Sequence, residues 1–194
     1  EVARNCPQKD VALLQAQFGL TEREVYRVDG PVNLHRIQKM YDLLERPDLK
    51  YVPFLPSRSQ IQPNTDLFET LSRGDVVLHH PYESFSPVVD LVRQAAEDPD
   101  VLAIKQTVYR TGSESPFVEA LLKAARAGKE VTAVVELRAR FDEAANIDLA
   151  NRLQDAGAHV VYGVVGYKTH AKMLLIVRRE AGKIRRHVHL GTGN

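Results

Sequence analysis

The sequence predicts an α/β protein: a mainly parallel sheet with crossover helices and a C-terminal antiparallel hairpin, preceded by a small α-rich segment. Three observations predict it. From residue 75 onward, short apolar runs alternate with stretches of helical period, roughly 10–15 residues each, the rhythm of parallel strands joined by crossover helices. After Gly166 the rhythm becomes strand, turn, strand in AKMLLIVRR, EAGK and IRRHVHL. Between the two regimes lies YVPFLPSRSQIQPN, where Pro53, Pro56 and Pro63 remove backbone donors and push the preceding residues toward extended conformations, as at a domain boundary.

Upstream of that boundary, residues 10–18 (DVALLQAQF) have helical character and stop at Gly19. Residues 24–28 (EVYRV) suit a short strand, Asp29-Gly30 a turn, and residues 32–44 an amphipathic helix. A unit of about fifty residues is small for an independent domain, so this segment reads as part of a larger one.

Downstream, residues 75–80 (DVVLHH) are predicted as a first strand. Ser86-Pro87 then supplies a capping hydroxyl and a proline at the first helical position, ahead of VVDLVRQAAED. Residues 101–109 (VLAIKQTVY) form the next strand. Ser115-Pro116 starts another helix, which runs to Gly128. Residues 130–137 (EVTAVVEL) suit a buried strand, residues 142–156 a helix ending at Gly157, and residues 159–162 a further strand.

Composition narrows the function classes. The 194 residues are 44% hydrophobic, enough for a core, and 26 Lys+Arg nearly balance 25 Asp+Glu. A formal net charge of +1 gives no reason to expect nucleic acid or a membrane surface as partner. The charge is uneven, however. Lys168, Lys172, Arg178, Arg179, Lys183, Arg185 and Arg186 face a single acid, Glu180, between Tyr167 and His189. Such a run suits an anionic ligand, although composition alone favours a solvated hairpin. Cys6 is the lone cysteine, so no intrachain disulfide can form. No apolar run approaches the roughly 18–20 residues of a membrane span, and EVARNCPQKD lacks the features of a signal peptide. A cytoplasmic protein is expected, with peripheral membrane association as the alternative.

The chemistry-bearing residues gather at predicted strand ends. In GYKTHAKMLLIV, His170 and Lys172 lie two apart at the start of an apolar strand, which predicts one shared face. A lysine can hold phosphate oxygens while a neutral imidazole offers a nucleophilic nitrogen. Arg110 follows the strand VLAIKQTVY, and Arg138 and Arg140 follow EVTAVVEL. Open parallel sheets bind ligands beyond the carboxyl ends of their strands, where arginines can grip phosphate with two nitrogens. Asn194 in the closing GTGN adds an amide. His79 and His80 are adjacent, so a strand would send them to opposite faces, one buried and one toward the strand-end crevice, with Glu83 as an imidazole partner. Glu136 and Asp142-Glu143 could pair with arginines or hold a metal through water, and Asp142 could simply cap a helix. No GxxxxGK[ST], GxGxxG, CxxC or HExxH motif occurs.

The strings LHHPYESFSPVVDLVRQAAEDPDVLAIKQTVYRTG, VELRARFDEAANI, GVVGYKTHAKM and HLGTGN closely resemble the bacterial polyphosphate kinases that work through a phosphohistidine. VYRVDGPVNL and RPDLKYVPFLP resemble the segment that precedes them in that family, so the resemblance covers nearly the whole chain. It implies a phospholipase-D-like fold. Residues 1–55 would be the end of a helical head domain, and residues 56–194 most of the first phospholipase-D-like domain. It implies ATP, ADP and polyphosphate as substrates, Mg2+ as cofactor, and a homo-oligomeric parent. The phosphorylated histidine corresponds to His170, and the phosphate- and magnesium-associated arginines to Arg110 and Arg140. Lys172 and Asn194 match the His-x-Lys and asparagine of the wider phospholipase-D pattern. Where that wider pattern has an aspartate five residues after the lysine, Val177 stands here, which fits the kinase branch. A phospholipase-D-like phosphodiesterase and a non-catalytic polyphosphate-binding fragment remain the alternatives. The family's second phospholipase-D-like domain and most of its ATP-binding front lie outside the sequence. It therefore reads as a fragment, with the face around His170 expected to be exposed.

Overall fold

A computed structural model of the chain describes residues 1–57, 60–109, 115–137, 143–163 and 166–193. The chain divides into two compact units, Glu1–Phe54 and Leu55–Asn194.

The first unit contains strand β1 (Val2–Ala3), helix α1 (Gln8–Phe18), strand β2 (Arg27–Val28) and helix α2 (Gln38–Leu43). Helix α1 ends as expected at Gly19, whose φ of 63° is a left-handed conformation that glycine adopts at low cost. The strand expected over residues 24–28 shrinks to two residues, paired in parallel with Val2 and Ala3, a partner the sequence did not suggest. The helix expected over 32–44 is broken. Asn33 sits at φ 60°, a 3-10 turn spans Leu34–Ile37, and only then does α2 begin. Among the described residues of this unit only Val11 is buried, whereas Leu13, Phe18 and Leu43 are exposed.

The second unit begins with helix α3 (Leu67–Arg73), capped by Asp66, whose carboxylate accepts the Glu69 amide at 2.9 Å. The sequence reading passed over this helix, although Asp66-x-x-Glu69 is a start signal. Then follow α4 (Ser86–Glu97), β3 (Val101–Val108), α5 (Pro116–Arg126), β4 (Glu130–Val135), α6 (Glu143–Asp155), β5 (His159–Tyr162), β6 (Lys172–Glu180) and β7 (Lys183–Gly191). Ser115 caps α5 by accepting the Phe117 amide. At α4 the expected cap shifts: Ser86 is already helical, and the Ser84 hydroxyl accepts its amide at 3.1 Å.

One five-stranded sheet carries the order β5-β4-β3-β6-β7. β3, β4 and β5 are parallel, β6 runs antiparallel to β3, and β7 antiparallel to β6. The fold class is therefore the expected α/β one, with the hairpin added at the β3 edge. One sheet face carries Ile104, Val108, Val131, Val135, Leu174 and Ile176, all buried with residues of α4, α5 and α6 in a single core. Right-handed crossovers from β3 through α5 to β4, and from β4 through α6 to β5, put both helices on that face.

Residues 75–80 correct one expectation, because no strand forms there. A strand needs a partner for its amides and carbonyls, and no described strand pairs with this segment. Side chains serve the segment instead. Gln60 Nε2 donates to Val77 O at 3.1 Å, and the Glu83 carboxylate accepts the His79 amide at 2.8 Å.

Candidate functional site

The topology brings the carboxyl ends of β3, β4, β5 and β7 and the amino end of β6 to one edge of the sheet. Gln106, near the end of β3, pairs with Leu174, and Lys172, which opens β6, pairs with Gly191, which closes β7. His170 lies two residues ahead of β6, exposed at this edge.

His170 and Lys172 converge on one ring. Tyr109, directly after β3, meets the His170 imidazole edge-on, with centroids 5.0 Å apart and planes at 77°. The Lys172 ammonium stands 4.6 Å from the centroid of the same ring. It also turns back to donate to the His170 carbonyl at 2.7 Å. An ammonium has three N–H donors, so this bond leaves capacity for an anion. A cation over an aromatic face contributes about 0.5–1 kcal/mol at an exposed site, enough to bias the lysine rotamer.

The backbone on either side of His170 is anchored. Before it, the Thr169 amide donates to Glu136 Oε2 at 2.7 Å. After it, the Thr107 hydroxyl donates to the Ala171 carbonyl at 2.6 Å and accepts the Met173 amide at 2.9 Å. Glu136 is itself buried. Asn146, near the start of α6, donates from Nδ2 to the carbonyls of both Tyr109 and Glu136, each at 2.9 Å. It thereby ties the ends of β3 and β4 together. Sequence reading singled out Glu136 as a partner for arginine or a metal, and its use on a backbone amide was not anticipated. Thr107, Tyr109 and Asn146 were missed as site residues. The one available signal was the position of Thr107 and Tyr109 at the end of a strand beside Arg110; Asn146, on α6, carried none.

Arg110, Arg138, Arg140, Asp142 and Asn194 lie outside the described residues. Of the predicted site residues, the structure brings His170 and Lys172 together. It does so through a turned-back lysine on Tyr109 rather than through two side chains on one strand face.

Other candidates resolve differently. Neither His79 nor His80 is buried, contrary to expectation. Their rings pack on Tyr82 and Phe85, at 4.9 and 5.1 Å, and His80 Nδ1 lies 3.0 Å from the Glu83 carbonyl. The Glu83 carboxylate serves the backbone instead, because no strand partner does. Among the described residues, no three His, Cys, Asp or Glu side chains are placed to hold a metal.

The basic run splits between the two ends of the hairpin. Lys168 and Lys172 belong to the site's end. At the far end Arg178 bonds Asp98 at 2.8 Å and Glu180 at 3.2 Å, and Arg185 and His187 also reach Glu180. Arg178 covers the Phe68 ring at 4.8 Å. These charges pin the hairpin to the end of α4. The open cleft beside them, about 380 Å³ and lined by Asp66, Phe68, Gln94, Asp98 and Arg178, lies at the opposite sheet edge from His170.

Fold and site together define a class: an α/β domain that presents a histidine–lysine segment at the carboxyl edge of its parallel strands. Comparison with known proteins narrows it. The family described as polyphosphate kinase C-terminal domain 1 matches residues 66–194, and the chain belongs to that family. It is 63% identical over 195 residues to the polyphosphate kinase of Xylella fastidiosa (strain 9a5c), covering 100% of this chain and 28% of that protein. It is 60% identical to the polyphosphate kinase of Pseudomonas aeruginosa PAO1, with the same coverage. The crystal structure of polyphosphate kinase from Porphyromonas gingivalis superposes with a TM-score of 0.67 at 32% identity, over 99% of this chain and 29% of that one. The chain thus spans 28% of the length of these curated relatives.

Proposed function

We propose that the full-length protein containing this chain is a polyphosphate kinase that reversibly transfers the terminal phosphate of ATP to polyphosphate through a phosphohistidine at His170. The observation that carries the reading is the exposed His170 imidazole at the carboxyl edge of the sheet, next to the Lys172 ammonium on the Tyr109 ring. High identity to named polyphosphate kinases over the whole chain supports it.

In the forward direction an unprotonated imidazole nitrogen attacks the terminal phosphorus of ATP. The N–P bond forms as the bond to the bridging oxygen breaks, and ADP leaves with that electron pair. A terminal oxygen of polyphosphate then attacks the same phosphorus, the N–P bond breaks, and the imidazole is regenerated with the chain one phosphate longer. Such transfers depend on positioning and on offsetting charge. Lys172 would offset charge on the transferring group, together with Arg110, Arg140 and Asn194. Magnesium, when bound, would be held through the phosphate beside Arg110 and Arg140 and would supply further positive charge there, and no step here depends on it. Val177 within β6, in place of the aspartate of the wider phospholipase-D pattern, supports a kinase over a phosphodiesterase.

The same reading takes residues 1–55 as the end of the head domain and residues 56–194 as the first phospholipase-D-like domain. It also takes the parent as a cytoplasmic homo-oligomer. No described helix is long and apolar enough to cross a membrane.

The test uses full-length protein and ATP labelled at its terminal phosphate. His170→Ala and His170→Gln should both abolish acid-labile incorporation, because glutamine keeps some hydrogen bonding but has no nucleophilic nitrogen. His35→Ala should incorporate normally. Wild-type incorporation in His170→Ala would reject the assignment.

A further inference from the structure

Two contacts made by the strands bracket His170 and are not part of the phosphoryl-transfer reading itself. Glu136, at the end of β4, holds the amide of the residue before His170, at 2.7 Å. Thr107, in the last turn of pleat of β3, holds the carbonyl of the residue after it, at 2.6 Å, and the Met173 amide at 2.9 Å. His170 itself lies outside regular structure, so no sheet ladder fixes its backbone. These side chains take over that task.

We infer that Glu136 and Thr107 form a two-point clasp that sets the backbone of His170 and so aims its imidazole. Both are positioning residues, because neither touches the imidazole through the contacts described. The inference rests on the reading of His170 as the nucleophile.

Three features support it. First, the clasp is rooted in rigid parts. Glu136 is buried, its amide donates to Val108 O at 3.0 Å, and its carbonyl accepts from buried Asn146. Burying a carboxyl is costly unless it is hydrogen-bonded, and the Thr169 amide is one of the groups that satisfy this one. Second, Gly163, at the left-handed φ of +59°, borders it: a Cβ there would stand in ordinary van der Waals contact with Thr169 Oγ1 at 3.8 Å and Glu136 Oε2 at 4.0 Å. Third, one Thr107 oxygen both donates and accepts, which spans the entry into β6 and joins the His170 segment to the register of the sheet. Small errors in the placement of a nucleophile cost large factors in rate, because a near-attack geometry requires reacting atoms about 3–3.5 Å apart.

The test uses the full-length protein with two pairs of variants. Glu136→Ala and Thr107→Val remove the contacts, while Glu136→Gln and Thr107→Ser restore an acceptor or a hydroxyl. Hydrogen–deuterium exchange is read on peptides covering residues 167–173, with peptides from β3 and α5 as internal reference. Phosphohistidine formation and turnover are measured on the same samples. The expected result is faster exchange confined to 167–173 in the Ala and Val variants. Their kcat should fall at least tenfold with the KM for ATP within threefold of wild type, and Gln and Ser should recover most of the rate. Unchanged exchange at 167–173 with unchanged kcat would overturn the clasp. So would exchange that rises throughout the sheet, which reports general destabilisation. If Glu136→Ala does not fold, the near-isosteric Thr107→Val carries the decision. If wild type takes no label at His170, the reading of the nucleophile fails while the exchange arm still tests the clasp.

Discussion

The ammonium of Lys172 stands 4.6 Å from the centre of the Tyr109 ring, whose edge faces the His170 imidazole. One aromatic side chain thus organises the two residues assigned to phosphoryl transfer. Tyr109→Phe keeps that ring and is expected to stay near wild-type turnover. Tyr109→Leu should lower turnover about two- to sixfold through the Lys172 contact alone, from roughly 0.5–1 kcal/mol for an exposed cation–π pair. Steady-state kinetics on the full-length protein checks both, and equal rates for Phe and Leu would dismiss the ring as an organiser.

Under the proposed function, Arg140→Lys should keep a positive charge yet lose the planar fork with which an arginine can grip phosphate through two nitrogens. Removing one such electrostatic donor costs on the order of 100-fold in rate. Single-turnover labelling from ATP should show that loss. A change no larger than that of an exposed lysine such as Lys105→Ala would contradict the role.

Glu180 links acidity to stability. Burial acts to raise its pKa, but hydrogen bonds from His187, Arg178 and Arg185, with the charge of His187, outweigh burial and hold it below its ordinary value of 4.5. A carboxyl depressed in the folded state stabilises the fold fully above its unfolded pKa, and the contribution disappears as pH falls through the folded pKa. Glu180→Gln should therefore melt below wild type near neutral pH, with the difference closing as pH falls below 4.5 and through the lowered folded value. A gap that stays constant with pH would show that packing rather than charge is responsible.

His189 should titrate below the ordinary imidazole range. Burial disfavours its charged form first, and the charge on His80 adds to the effect. The unfolded chain then binds the proton more readily, so the fold loses stability as pH drops from the ordinary 6.5 toward the folded value. An NMR titration of the His189 ring should place the midpoint low, and His80→Gln should raise it. A midpoint unmoved by His80→Gln would remove that charge from the account.

Leu174 and Ile104 are fully buried on the helix-covered face of the sheet. Leu174→Ala should cost about 2–5 kcal/mol, because lost transfer energy and a residual cavity add. Denaturant unfolding monitored on this domain's transition measures it.

Several elements were legible from residue pattern alone. β3, β4 and β5 were readable because each is a short apolar run bounded by turn residues, and α5 because Ser115-Pro116 both caps and starts it. The hairpin was readable from its change of rhythm, and His170 and Lys172 from their spacing at its entrance. Those signals are local, and local backbone chemistry produces them. Residues 75–80 carried the same apolar signal and yet formed no strand, because a strand exists only through a neighbour and no described strand pairs with them. The basic run could not be divided by pattern, since only the length of the hairpin separates Lys172 from Arg178 and delivers the latter to Asp98. Glu136, Thr107 and Asn146 reach their partners across 33, 64 and 37 residues of chain. Spacing along the sequence carries no trace of such contacts. The sequence by itself determined the α/β alternation, the nucleophile candidate and the family. Tertiary structure alone decided which edge β6 occupies and which side chains hold His170 in place, because both depend on long-range pairing that closes only when the sheet assembles.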